Sequence, residues 1–260
     1  MKLSISNIAW DSEYDNEMYS YISNHGFTGV EIAPTRIFSD KPYDHLNEAQ
    51  EFARRLANQY SLTIPSIQSI WYGRTESMFG TETEKQSLID YTKQAVLFAA
   101  AMDCKNIVFG CPRNRNIPGK EHLPAAIDFF NEIGNFAASN GTIMAIEPNP
   151  PYYNTNFINT TSEAFDLCRK INNPGIRVNV DLGTLIHYQE SLDFINSEID
   201  IVNHIHISEP MLAVIEQRDI HRDLKKLNYS RWFSIEMKNP HNLDTVKKVV
   251  NYVKESYNDL

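Results

Sequence analysis

Eight short runs rich in β-branched and aromatic residues alternate with longer segments of helical periodicity, and no other feature restricts the fold as much. The runs are LSISNIAW (3–10), GVEIA (29–33), TIPSIQSI (63–70), NIVFG (106–110), IMAIE (143–147), IRVNVD (176–181), VNHIHIS (202–208) and RWFSIEM (231–237). Between them, QEFARRLANQY (50–60) and LIDYTKQAVLFAAAM (88–102) carry apolar residues at three- and four-residue steps. TTSE (160–163) predicts a capping box before AFDLCRKI, and NNPG (172–175) predicts that helix's end. Eight strand–helix units in 260 residues predict an α/β fold, a single (β/α)8 TIM barrel domain over 1–260 with its active site at the C-terminal rim of the strands. A doubly wound open sheet is the alternative. It would carry a glycine-rich phosphate turn, but the first strand–helix turn reads NIAWDSEYDN (7–16) without glycine, and no GxxxxGK[ST] occurs.

Charge and cysteine content narrow the function classes. The net charge is −9, which argues against a nonspecific nucleic-acid or membrane surface. Cys104, Cys111 and Cys168 are widely spaced, with no CxxC, so neither a thiolate zinc site nor a disulfide framework is expected. We read a reduced, cytoplasmic protein. MKLSISNIAW reads as a strand rather than a signal peptide, and no stretch approaches the roughly 18 apolar residues of a membrane span.

Chemistry in such a barrel sits where strands end. The fifth predicted strand ends in Glu147, the sixth in Asp181, the seventh carries His206 near its end, and the eighth ends in Glu236. Their separations of 34, 25 and 30 residues are each about one strand–helix unit. Three converging carboxylates repel one another unless a cation sits among them. Oxygen donors with one imidazole suit one divalent ion, Mn²⁺, Mg²⁺, Co²⁺ or Zn²⁺. His204 faces as His206 does, two residues deeper, and reads as a supporting residue.

GFTGVEIAP, IMAIEPNP, VNVDLGT, HIHISEP and LKKLNYSRWFSIEM together resemble the xylose isomerase-like TIM barrels. These form the sugar (phosphate) isomerase and epimerase group that also contains apurinic-site endonucleases. The resemblance covers nearly the whole chain. It implies that Glu147, Asp181, His206 and Glu236 hold one divalent metal, and that Glu147 and Glu236 act as catalytic acid and base. The implied reaction is isomerisation or epimerisation of a sugar or sugar phosphate, by proton abstraction next to a carbonyl through an ene-diolate. The implied partners are a small carbohydrate substrate and a second copy, as a homodimer or homotetramer, with no nucleic acid and no membrane.

Substrate-gripping positions depart from the group. Tyr153, Thr184, Leu212 and Gln68 stand where relatives often carry Glu, His, Arg and His. Trp10, Gln68, Trp71, Arg113, Tyr153 and His187 are the candidate substrate contacts, with Arg115, Arg36, Arg218, His221 and Lys238 as further candidates from the loops. Glu31 reads as a structural partner, Cys111 as inert, and Glu209 as a rim or loop-capping residue. The departures keep open a dehydratase-type lyase on a polyol or keto-inositol, and a catalytically altered sugar-binding barrel. Gln68 and Gly110, where an apurinic endonuclease needs histidines, argue with the acidic charge against that activity.

Overall fold

The computed structural model describes residues 1–258. Seven strands, β1 (Lys2–Ser6), β2 (Gly29–Glu31), β3 (Ile107–Phe109), β4 (Met144–Ile146), β5 (Ile176–Asp181), β6 (Val202–Ile207) and β7 (Trp232–Ile235), form one sheet in the order β2-β1-β7-β6-β5-β4-β3. Every pairing is parallel. The two edges meet through the segment 63–68. Thr63 and Ile67 bridge to Gly29 and Ile32 on one side, and Ile67 bridges to Ile107 on the other. The result is a closed (β/α)8 barrel. Its eighth staff is held by single bridges because Pro65 has no N–H to give a ladder. Gly29 permits the close fit there, since a Cβ would lie 2.7 Å from the Trp232 ring and 3.0 Å from Pro65.

Helices α1 (Asp15–Asn24), α2 (Pro34–Ile37), α3 (Leu46–Tyr60), α4 (Glu82–Ala101), α5 (Leu123–Ser139), α6 (Thr161–Ile171), α7 (Leu182–Tyr188), α8 (Leu192–Ser197), α9 (Asp219–Asp223) and α10 (Leu243–Asn258) lie in the strand connections and after β7. The expected box at Thr160 and Glu163 opens α6, and Thr81 with Glu84 forms a second one before α4. Asn172 in the left-handed region closes α6. Among the described residues no helix is long and apolar enough to cross a membrane.

The strands alternate, although both of their faces are buried. Leu3, Ile5, Val178, Val180, Ile205, Ile207, Phe233 and Ile235 join one apolar cluster with helix residues such as Leu56, Phe98, Phe130, Phe165 and Val250. The intervening Ser4, Ser6, Asn179, Asp181, His204, His206, Ser234 and Glu236 are also buried, and face the barrel axis. Barrel interiors are ordinarily filled with bulky branched side chains. Here Ser4, Ser234 and Ala145 are small, which leaves the axis to imidazoles and carboxylates.

Candidate metal centre

Four adjacent strand ends bring Glu147, Asp181, His206 and Glu236 together. One donor atom from each lies within 4.8 Å of all the others, and all four residues are buried. His206 Nδ1 is the meeting point, 2.8 Å from Glu147 Oε1 and 3.0 Å from Glu236 Oε2. Register places the donors: Asp181 pairs with His206 across β5 and β6. The Glu147 and Glu236 amides donate to Phe109 and Ile207 carbonyls at 3.0 Å each, which fixes both glutamates one residue past their strands.

Each donor is held by neighbours. Glu147 Oε1 accepts from Asn179 Nδ2 at 2.7 Å and Oε2 accepts from Asn149 Nδ2 at 3.2 Å. Asp181 caps α7, accepting from the Thr184 amide at 2.7 Å and its hydroxyl at 2.9 Å, and also from the Ser208 hydroxyl. Thr184 therefore serves Asp181. His206 Nε2 lies 3.0 Å from Glu31 Oε2. A carboxylate on the far nitrogen orients an imidazole and leaves Nδ1 free to act as a donor. His204 Nε2 sits 3.2 Å from the same Glu31 oxygen, but its alignment is not that of a hydrogen bond, and neither of its ring nitrogens finds a partner among the described residues. Its place one layer below the rim is the expected one. Gln68 spends Nε2 on Ser6 Oγ at 2.5 Å and on Glu31 Oε1 at 3.1 Å.

The electrostatics lack positive charge. Burial, then the charge of Glu147, pushes Asp181 up to about 6. Burial also raises Glu236 to about 7, with Glu147 adding to it against His206. Burial alone would lower His206, but Glu236 and Glu31 outweigh it and hold the imidazole well above its ordinary value. Burial disfavours a charged Glu31, yet His206 and His204 hold it below the ordinary carboxylate range. Burial lowers His204. Four buried carboxyls thus share one protonated imidazole. Arg115, fully buried, donates to the Glu147 main-chain carbonyl at 2.9 Å and to Asn149 Oδ1 at 3.0 Å rather than to a carboxylate. A divalent cation fits this donor set and this charge deficit.

A cavity of about 210 Å³ opens above the donors, lined by Glu147, Asp181 and Glu236 with Ile8, Gln68, Gly110, Tyr153 and Leu212. Burial and Asp181 raise the Tyr153 hydroxyl, which stays protonated. Burial pushes the Cys111 thiol, also on this wall, up to about 12. The other candidates stand elsewhere. Trp10 and Trp71 do not line the cavity: they are buried plugs whose indole N–H groups go to Asp15 and Thr92 at 2.9 Å each. Arg113 is exposed and does not line the cavity, although Cys111 and Pro112 beside it do, and His187 is exposed, with its ring against Tyr152. Arg115 is locked under main-chain carbonyls and cannot meet a substrate. Arg36 pairs with Asp15, Arg218 with the buried Glu209, and His221 with the Tyr252 hydroxyl; Lys238 is exposed. Asn179, Asn149 and Ser208 escaped the sequence reading. Each lies two residues from a donor, so strand period was the signal that could have found them.

A parallel barrel with three carboxylates and an imidazole converging at its C-terminal rim defines the class: a TIM barrel with a metal-type donor cluster where barrels place their chemistry. The chain belongs to the xylose isomerase-like TIM barrel family, whose sequence profile matches residues 19–256. Among curated proteins, none matches the sequence. The fold is similar to that of 3-keto-D-glucoside 4-epimerase YcjR from E. coli, at 17% identity over 98% of this chain and 99% of that one, with a TM-score of 0.75. D-psicose 3-epimerase from Clostridium cellulolyticum H10, solved with D-tagatose, is similar at 14% identity over 98% and 96% of the chains, with a TM-score of 0.75. The IolI protein, solved with a zinc atom, is similar at 15% identity over 98% and 96%, with a TM-score of 0.71.

Proposed function

We propose that the protein is a metal-dependent isomerase or epimerase acting on a sugar or sugar derivative. The observation that carries this reading is the convergence of Glu147, Asp181, His206 and Glu236 within 4.8 Å at the floor of a rim cavity. These four residues would hold the ion. A bound divalent cation would supply electrophilic polarisation of a carbonyl next to the reacting C–H bond. Glu147 and Glu236 both border the cavity, and each is a carboxylate able to take a proton from carbon. One removes it and the other returns it: to the opposite face for epimerisation, or by way of the neighbouring carbon for isomerisation. Asn179 and Asn149 hold Glu147 by one oxygen each, which keeps its orientation while it changes charge. Glu31 keeps the His206 ring fixed from below. Tyr153 adds a phenol hydroxyl to the cavity wall, able to donate to a sugar hydroxyl.

The reading is supported by the family and by the sugar epimerases among the similar folds. The test is to strip the protein with chelator, restore it with Mn²⁺ or Co²⁺, and follow entry of solvent deuterium into a panel of ketoses and keto-sugars by mass spectrometry. We expect metal-dependent gain of one mass unit in at least one sugar. Loss of water instead of exchange would turn the reading into a lyase, and neither change with any sugar would contradict it.

A further inference from the structure

The cavity above the donors is not isolated. Ile8 and Ser69 line both it and a second cleft of about 750 Å³, which runs outward over the ends of β1, β2 and the segment 63–70. Small-molecule sites span roughly 300–1,000 Å³. The donor cavity, at about 210 Å³, falls below that range, and the adjoining cleft falls inside it. We propose that the substrate carries a second sugar ring: the reacting sugar enters the donor cavity and the second ring lies in the cleft. This names the substrate class of the site and rests on the isomerase or epimerase reading above.

The cleft's chemistry favours a neutral ring bearing hydroxyls. Its walls include Thr35, Ser39, Arg36, Arg74, Tyr72 and Tyr91. Tyr72 is 73% exposed, the most exposed large apolar side chain among the described residues. Ser69 and Gly73, with φ of 55° and 82°, turn the loop on either side of it. An aromatic face beside hydroxyl and guanidinium donors matches a pyranose, which has an apolar C–H face and a polar edge. The arginines present donors but little free charge. Arg36 makes two bonds to Asp15, at 2.7 and 3.2 Å. Arg74 pairs with Glu76, bonds Ser87 at 2.7 Å, and lies 4.7 Å from the Tyr91 ring. Lys41 is the one cleft cation that pairs with no carboxylate among the described residues, and a single ammonium offers phosphate a point charge without the two-pronged grip of a free guanidinium.

Ligand-detected NMR on the full chain in saturating Mg²⁺ tests this. The probes are methyl α-D-glucopyranoside, D-glucose 6-phosphate, and the disaccharides maltose, cellobiose, sucrose and trehalose. We expect at least one disaccharide to bind at least tenfold more tightly than methyl glucoside and glucose 6-phosphate. Tyr72→Ala should weaken that disaccharide at least fivefold and methyl glucoside less than twofold, and Tyr72→Phe should restore the difference. Equal binding of methyl glucoside and every disaccharide, tightest binding of the phosphate, or a preference that survives Tyr72→Ala would each overturn the proposal. Deuterium exchange into a simple ketose without any disaccharide preference would overturn the second ring and leave the isomerase reading standing. A Tyr72-dependent disaccharide preference without exchange into any sugar would do the reverse.

Discussion

The two halves of the barrel rim are built differently. Strands β4 to β7 close on Glu147, Asp181, His206 and Glu236, whose donor atoms meet within 4.8 Å. Strands β1 to β3 and the segment 63–70 close on residues that serve the scaffold. Asn7 Oδ1 accepts from the Ala33 amide at 3.0 Å, Gln68 donates to Ser6 and Glu31, and Gly110 contributes no side chain at all. The half built from β1 to β3 and the segment 63–70 leaves space, and the half built from β4 to β7 supplies charge. Under the proposed function, fixed chemistry on one side and an open cleft on the other would let one donor set serve substrates chosen by the opposite loops.

The largest test of that division sets a donor against a scaffold residue. Glu236→Gln should lower deuterium exchange roughly a thousandfold, whereas Gln68→Ala should lower it by about tenfold or less, since it removes support rather than a reacting group. Comparable losses in both, measured as exchange rates at saturating metal, would erase the contrast.

Proton competition gives the next effect. In the metal-free protein burial pushes the Asp181 carboxyl up to about 6 and the Glu236 carboxyl up to about 7. A cation must displace those protons and the one that Glu236 and Glu31 hold on His206, so Mn²⁺ affinity should rise at least a hundredfold between pH 5.5 and 7.5 and go on rising as His206 gives up its proton. The sign for stability is opposite. A carboxyl whose folded pKa is raised stabilises the fold below its unfolded value and loses that contribution as pH rises through 6 to 7. The metal-free protein should therefore melt at lower temperature at pH 7.5 than at pH 5, and added Mn²⁺ should help most at pH 7.5. Calorimetry at the two pH values checks both signs.

Glu31→Gln keeps size but removes the charge that holds His206 from below. Metal affinity should fall roughly 10–100-fold, with one ion still bound at saturation. Gly110→Ala places a Cβ 2.9 Å from Glu147 Oε2 and 3.4 Å from Asn149 Oδ1. The carboxylate must move, and exchange should drop about tenfold with little change in melting temperature. The smallest effect lies off the rim. Thr160→Ala removes one side of the capping box at α6 and should cost about 1 kcal/mol of stability, with metal affinity unchanged.

The strand ends were legible because strand period and spacing together specify which residues reach one rim. VNHIHIS, RVNVD and FSIE each place polar residues on alternate positions of an apolar run, which only a polar barrel interior accommodates. The cleft was not legible. In sequence Trp10 and Trp71 read equally as substrate walls or barrel-end plugs and Arg115 as an anion contact or a loop residue, because whether a loop side chain turns outward or plugs the barrel depends on partners far along the chain. Arg115 meets Glu147 and Ile158, 32 and 43 residues away. Asp15 takes both the Trp10 indole and Arg36, which no local pattern announces.

The central claim is that four strand ends make one cation site. Titrating the chelator-stripped protein with Mn²⁺ by calorimetry at pH 7.5, alongside Asp181→Asn, tests it most directly. One ion per chain in the native protein, and binding weakened at least a hundredfold in the variant, is the predicted result. No binding to the native protein, or undiminished binding to Asp181→Asn, would contradict it.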